Sequence, residues 1–218
     1  MATTHPSIER IGIDESGKGD YFGPLVIAAV FVDATTQHEL ALMQVRDSKK
    51  ISDGRILEMA PDIKTICPHS VVAIGPQKYN ELYTKIKNLN RLLAWGHARA
   101  LENLLDRVSC TRAIADQFGD ERLILNALQE KGRKVTLEQR PKAESDLAVA
   151  AASILARAEF LIRLKRLSGE VGTALPKGAS STVELAAKMI VKKHGRERLG
   201  QVAKLHFKTT KAVLATLL

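Results

Sequence analysis

The sequence predicts an α/β protein: a mixed five-stranded sheet with helices on both faces and a helical C-terminal extension. Three observations lead there. Short apolar runs rich in β-branched residues recur through the chain, long stretches between the later ones carry the helical period, and everything after Pro176 reads as helical and basic. Three strands are expected before the first long helix, and later strands alternate with helices. Helices layered over both faces of a mixed sheet are the simplest way to bury such elements.

Ile8–Asp14 is a short apolar-rich strand, ended by Gly17 and Gly19. Leu25–Val32, entered through Gly23-Pro24, is a continuous Val/Ile/Ala run. Its length and β-branched members suit a buried strand better than a helix. Val71–Ile74, closed by Gly75-Pro76, is a third strand. Tyr79–Leu105 sets Leu82, Ile86, Leu89, Leu93, Ala100 and Leu104 close to the helical period. Ala113–Ala115 with Asp116 makes a fourth strand and Lys134–Leu137 a fifth. Glu144–Leu167 is rich in Ala and Leu and free of Gly and Pro, with Pro141 just ahead of it, so it reads as a helix.

The chain has 218 residues, short for two full domains at roughly 100–200 residues each. No repeat, low-complexity tract or Gly/Ser/Pro linker marks a boundary. We therefore expect one domain over residues 1–218, with a core at 8–167 and a basic helical extension at 176–218. Hydrophobic residues at 45% and charged residues at 26% exclude a disordered chain. The longest apolar runs, Leu25–Val32 and Ala148–Ala156 (the latter containing Ser153), fall below the roughly 18 residues that span a bilayer. The N-terminus has no apolar signal core, and Cys67 and Cys110 show neither disulfide-framework nor zinc spacing, so a cytoplasmic protein is expected.

Lys and Arg number 33 against 24 acids, a formal charge of +9. So basic a compact chain commonly meets a polyanion. With one Trp, three Tyr and five Phe there are few rings for base stacking, which favours contact with the nucleic-acid backbone. Lys188–Lys211 holds eight Lys or Arg and one acid, Glu197. Such a run suits a solvated helix face or a phosphate-backbone contact.

The chemically suggestive residues are acids. Asp14-Glu15 closes the first strand, and Asp116 ends another; strand carboxyl ends face the ligand crevice of α/β sheets. Asp116 equally suits a turn cap. Glu144 opens the Ala-rich helix and lies nearer than Asp146 to its apolar stripe of Leu147, Ala151, Ile154, Ala158 and Leu161, although both acids also suit a helix N-terminus. Four acids gathered at one point would repel one another without a cation. All-oxygen ligands suit Mg²⁺ or Mn²⁺, and two such ions about 3.5–4 Å apart can serve phosphodiester displacement. With the basic charge, this constellation suggests a nuclease.

Ile11-Gly12-Ile13-Asp14-Glu15-Ser16-Gly17-Lys18-Gly19-Asp20-Tyr21-Phe22-Gly23-Pro24-Leu25 resembles the opening motif of the ribonuclease HIII proteins, relatives of ribonuclease HII. Asp47-Ser48-Lys49-Lys50, Tyr79–Tyr83, Asn88–Trp95, Asp116-Gln117-Phe118, Lys142–Ser145 before Ala150–Ser153, and Lys204–Lys208 follow in the expected order. The match spans nearly the whole chain.

The resemblance implies a ribonuclease H-like fold and endonucleolytic cleavage of the RNA strand of RNA–DNA hybrids, leaving 5′-phosphate and 3′-hydroxyl ends. It makes Asp14, Glu15, Asp116 and Glu144 the metal-binding catalytic carboxylates for Mg²⁺ or Mn²⁺, two ions being expected during catalysis. It assigns Gly17, Lys18 and Gly19 to the loop that approaches substrate 2′-hydroxyls, and Ser48 and Lys49 to a phosphate near the cut. Read without it, the first trio is a tight turn and the second pair an ordinary polar loop. Asn88 and Asn90 are candidates for facing the site, and His206-Phe207 is a packing element.

Ribonuclease HIII proteins usually carry an N-terminal substrate-binding domain, and seven residues precede Ile8 here. Hybrid binding is then expected to rest on the catalytic domain and its basic C-terminal region, in a monomer that meets no membrane. Residues 172–181 contain no Tyr of the kind that ribonuclease HII places at RNA–DNA junctions. Cleavage at single ribonucleotides in duplex DNA should therefore be poor. That specificity and a non-catalytic hybrid-binding module are the alternatives.

Overall fold

An apolar strand buried on both faces needs no polar alternation, and Leu25–Val32 forms such a strand with the expected ends. The computed structural model describes residues 8–120 and 122–215. Its five strands are β1 (Arg10–Ser16), β2 (Leu25–Val32), β3 (His69–Ile74), β4 (Arg112–Asp116) and β5 (Thr136–Arg140). They form the expected mixed sheet, in the order β3-β2-β1-β4-β5. β4 runs parallel to both β1 and β5, and Ile13 pairs with Ala115.

Several sequence expectations are corrected. Two helices, α1 (Ala34–Leu42) and α2 (Asp53–Ile66), precede β3, so three strands do not arrive before the first helix. In α2, Ile56, Met59, Ala60 and Ile63 repeat at the helical period, but Pro61 lies inside the helix and masks it. Tyr79–Leu105 is two helices, α3 (Pro76–Ile86) and α4 (Leu89–Leu105), separated at Lys87, whose backbone is left-handed at φ 51°. The last strand lies further along than Lys134–Leu137, because Gly132–Lys134 forms a 3-10 turn. α5 (Arg122–Ala127) lies between β4 and β5, and α6 (Leu147–Val171) starts after Glu144. Asp146 is extended, and its carboxylate accepts the Ala148 N–H at 2.8 Å, so the helix is capped there and Glu144 sits in the preceding 3-10 turn, Ala143–Ser145. The helical C-terminus is as expected: α7 (Ser181–His194), α8 (Arg196–Val202) and α9 (Lys208–Ala215). Among the described residues, no helix is long and apolar enough to cross a membrane.

The chain forms two compact units. The first takes in the described residues up to 15, 27–72 and 90–158, and so most of the sheet, α1, α2, α4, α5 and the start of α6. Ile11, Ile13, Ile114, Ala115 and Val149 are fully buried in it. Two glycines set its layers. A Cβ on Gly96 of α4 would lie 2.6 Å from Ile27 Cδ1 of β2. A Cβ on Gly12 of β1 would lie 2.1 Å from the backbone carbon of Ala148, so the first turn of α6 rests directly on the strand.

The second unit takes in 16–26, 73–89 and the described residues from 159 onward. Tyr21, Phe22, Tyr79 and Phe160 are buried there. His206 stacks on Tyr83 with ring centroids 4.3 Å apart and meets Phe207 edge-on at 4.6 Å, the packing role expected of His206-Phe207.

Gly12→Ala must push backbone against backbone, which no side-chain rotation relieves. We expect a loss of about 3 kcal/mol or failure to fold, measured as the shift in urea midpoint at constant m-value; an unchanged midpoint would contradict the contact.

Candidate active site

Side chains alternate along β1, so Gly12 and Asp14 share one face and Ile13 and Glu15 the other. Gly12 meets α6, which puts Asp14 on the α6 face. The parallel register pairs Ile13 with Ala115, so one step further Asp14 lies beside Asp116 on the same face, about 4.8 Å away in strand spacing. An oxygen of Asp116 accepts the Ala143 N–H at 3.4 Å. Ala143 packs against Ile114 and Val149, which fixes the 3-10 turn on that face. Glu144 follows, half-buried, on a cleft of about 270 Å³ shared with Arg46, Asp47, Lys50, Lys142 and Ser145. Lys142 precedes the turn with a left-handed φ of 56°. A non-glycine residue held so is strained, a feature that gathers at functional sites.

The charges are poorly compensated. Burial holds the Asp14 carboxyl well above the ordinary carboxylate value; the Glu15 and Asp116 charges push it further up, while the Glu15 N–H, at 2.8 Å, and Lys49 work against them. Glu15 leaves β1 toward α4, where His97 Nε2 lies 3.1 Å from its Oε2. His97 is fully buried, its other ring nitrogen has no hydrogen-bond partner, and the ring packs on Phe118 at 4.7 Å. An ionised carboxylate only accepts, so in this contact Nε2 carries the hydrogen. Asp146, by contrast, pairs with Arg10 at 2.7 Å and caps α6, which is a structural role.

The Ser48–Lys50 turn is anchored on α6. The Ser48 N–H donates to Ser153 Oγ at 3.1 Å, and Arg157 donates to the Ser48 carbonyl at 3.2 Å while gripping Asp53 at 2.6 Å. Ser48 itself is buried and Lys49 exposed. Asn90 lies against Gly119, and Asn88 falls at the break between α3 and α4. Gly17-Lys18-Gly19 follows Glu15 in the chain and belongs to the second unit. Its two glycines differ: Gly17 has φ +88° and a Cβ there would lie 2.2 Å from the Pro24 carbonyl oxygen, whereas a Cβ on Gly19 would meet nothing within 4 Å. Only Gly17 is required by the fold. Sequence reasoning missed His97; its signal is a lone imidazole in Leu93-Ala94-Trp95-Gly96-His97, beside a mid-helix glycine.

Among the described residues, no three His, Cys, Asp or Glu side chains form a ready-made cation site. Glu15 is turned to His97, and one Asp14 oxygen is engaged by a backbone amide. The donor chemistry nevertheless fits a hard divalent cation: neighbouring carboxylates, partly desolvated and mutually repelling, with all-oxygen donors.

Two outcomes are expected. Because the folded Asp14 pKa is raised, the folded state holds a proton that the unfolded chain has released; Asp14 therefore subtracts stability above the ordinary carboxylate range, fully so once pH exceeds the folded value, and subtracts none below both. Asp14→Asn should raise Tm at pH 7, with the gain vanishing near pH 3, and Mn²⁺ should raise the Tm of the parent more than that of the variant. His97→Ala, by freeing Glu15, should lower cleavage or Mn²⁺ affinity about 10–100-fold, as loss of an outer-shell partner does. His97→Gln, which retains a donor, should recover part of it, and equal loss in both variants would count against the contact.

Comparisons with known proteins identify the family. Residues 11–210 match the family model described as Ribonuclease HII. Ribonuclease HIII of Protochlamydia amoebophila is 50% identical over 216 residues, covering 97% of this chain and 72% of the relative. Ribonuclease HIII of Chlamydia pneumoniae is 45% identical, covering 94% and 72%. A crystal structure of Bst-RNase HIII in complex with Mn²⁺ superposes with a TM-score of 0.90 at 38% identity, over 96% of this chain and 70% of the other. With the ribonuclease H-like sheet, the paired strand-end acids and these matches in agreement, the chain belongs to the ribonuclease HII family, and within it to ribonuclease HIII.

Proposed function

We propose that this chain is an endonuclease that hydrolyses the RNA strand of RNA–DNA hybrids and leaves 5′-phosphate and 3′-hydroxyl ends. One observation carries the reading: Asp14 and Asp116 stand side by side at the ends of parallel strands, Asp14 is under-neutralised, and Asp116 accepts the N–H of Ala143, the residue before Glu144. Asp14, Asp116, Glu15 and Glu144 would hold Mg²⁺ or Mn²⁺. Bound there, such ions supply an activated water and a stabilised leaving oxygen. The chain's own residues do the rest. His97 orients Glu15, the α6 start and the Ala143 amide hold Asp14 and Asp116 in register, and Lys49 offers positive charge beside Asp14.

Recognition of RNA falls to Gly17-Lys18-Gly19. Gly19 has open space where a side chain would stand, so a sugar can approach its backbone, and the 2′-hydroxyl is the group that distinguishes RNA there. The Lys and Arg side chains of Lys188–Lys211, apart from the buried Lys204, supply sequence-independent attraction to phosphates. A second reading, cleavage at single ribonucleotides in duplex DNA, is disfavoured by the absence of Tyr from residues 172–181.

With Mg²⁺ and Mn²⁺ compared, a duplex carrying four or more consecutive ribonucleotides should be cut and one carrying a single ribonucleotide cut far more slowly. Asp14→Asn should abolish cleavage and keep hybrid binding. Turnover by that variant at saturating Mg²⁺ would refute the assignment, and preference for the single ribonucleotide would establish the second reading instead.

A further inference from the structure

The second unit contains a buried charge that the chemistry above does not use. Lys204 is 0% exposed. Its ammonium donates to the carbonyl oxygens of Asp20 and Gly23 at 2.7 Å each, and to that of Phe22 at 3.4 Å. Burial pushes its pKa down to about 7, while the Asp20 charge works the other way. Burying an ammonium is unfavourable, so an apolar side chain of similar volume would be the cheaper filler. What lysine alone supplies is three donors on one atom, matched here to three convergent carbonyls; the flat fork of arginine cannot do the same.

Every residue of this short segment is tied to the C-terminal part of the unit. The Lys204 N–H donates to the Tyr21 carbonyl at 2.8 Å, the Gly23 N–H to Val202 at 2.9 Å, and the Tyr21 N–H to Gly178 at 2.9 Å. An Asp20 carboxylate oxygen accepts the Gly178 N–H at 2.6 Å, Phe22 bridges Ala203, and the Tyr21 hydroxyl meets Thr210 Oγ1 at 3.1 Å. The segment is also the immediate continuation of Gly17-Lys18-Gly19, and the Asp20 N–H closes that turn onto the Gly17 carbonyl at 3.3 Å. A loop whose Gly19 is unconstrained by packing takes its shape from where its downstream end is fixed.

We propose that Lys204 is a positioning residue for RNA recognition: by clamping the carbonyls of residues 20–23 it sets the backbone of Gly17-Lys18-Gly19 that meets the RNA strand. The inference rests on the reading, made above, that this loop contacts RNA. Lys204 touches neither substrate nor carboxylate in this role. It acts only through the loop.

The test measures binding of an RNA–DNA hybrid and of a DNA duplex of the same sequence, in the Asp14→Asn background that blocks cutting, together with kcat and KM in the parent. Lys204→Met should narrow the preference for hybrid about tenfold, equivalent to about 1.4 kcal/mol, and raise KM for the hybrid, with kcat within about threefold. Lys204→Arg should not restore the preference. A purely structural lysine would instead lower Tm and the active fraction and leave the preference intact, and that result overturns the proposal. Gly19→Val separates the two ideas, because its side chain enters open space and obstructs only an approaching ligand. Full preference in Gly19→Val means that the loop does not read RNA. Preference lost there but kept in Lys204→Met removes the positioning role alone. Should Lys204→Met fail to fold, Asp20→Ala, which loosens the same segment from a half-buried position, carries the test, and an unaltered preference sinks the proposal.

Discussion

The contact between Gly12 and the first turn of α6 governs the face that carries Asp14. With no side chain on Gly12, the Ala148 backbone comes to within 2.1 Å of where a Cβ would stand. No other residue permits such an approach. Because β1 alternates, the same contact decides that Asp14 faces α6 and Glu15 faces α4. Because β4 is parallel and in register, it brings Asp116 to Asp14's side. The 3-10 turn that carries Glu144 is then held by packing of Ala143 against Ile114 and Val149. A one-residue slip of β4 would turn Asp116 to the far face and dissolve the pair.

Placing carboxylates this way works against folding. Asp14 is partly desolvated and faces two like charges, a conflict that Lys49 and one backbone amide answer in part. Local discord of this kind marks a place where function overrides stability. The neighbouring Asp146 shows the contrast: similarly enclosed, it has Arg10 and a helix N-terminus and is at rest. His97 also belongs to the discord. A fully buried imidazole with one nitrogen unpartnered is a poor stabiliser, and its contact with Glu15 is what accounts for its presence.

The second unit handles charge differently. Its excess of Lys and Arg is mostly on the surface, where it suits phosphate contact, yet one lysine is drawn inside and spent on backbone carbonyls. A buried ammonium has few partners to choose from, and three carbonyls specify a single arrangement of the chain that bears them. Segment 20–23 is thus held by hydrogen bonds from a buried lysine rather than by apolar packing alone, although Tyr21 and Phe22 are buried as well.

Residue type and local pattern were enough to identify the five-stranded α/β class, the exact span of β2, the helical C-terminus, the acids at strand ends and the family resemblance. Burial on both faces leaves a continuous apolar signature, and an acid that follows such a run can be read without knowing its neighbours. α2 escaped because Pro61 interrupts an otherwise regular period, and the two-helix character of 76–105 because a left-handed Lys87 leaves no glycine to mark it. That Glu144 lies in a 3-10 turn ahead of α6 was not legible, since helix caps depend on which side chain captures a free amide. His97 beside Glu15, the rivalry of Asp14 with Asp116, and Lys204 among three carbonyls were decided by tertiary structure alone. Sequence periodicity reports which face of an element is buried; what a buried polar atom meets there depends on register and layer packing between segments remote along the chain.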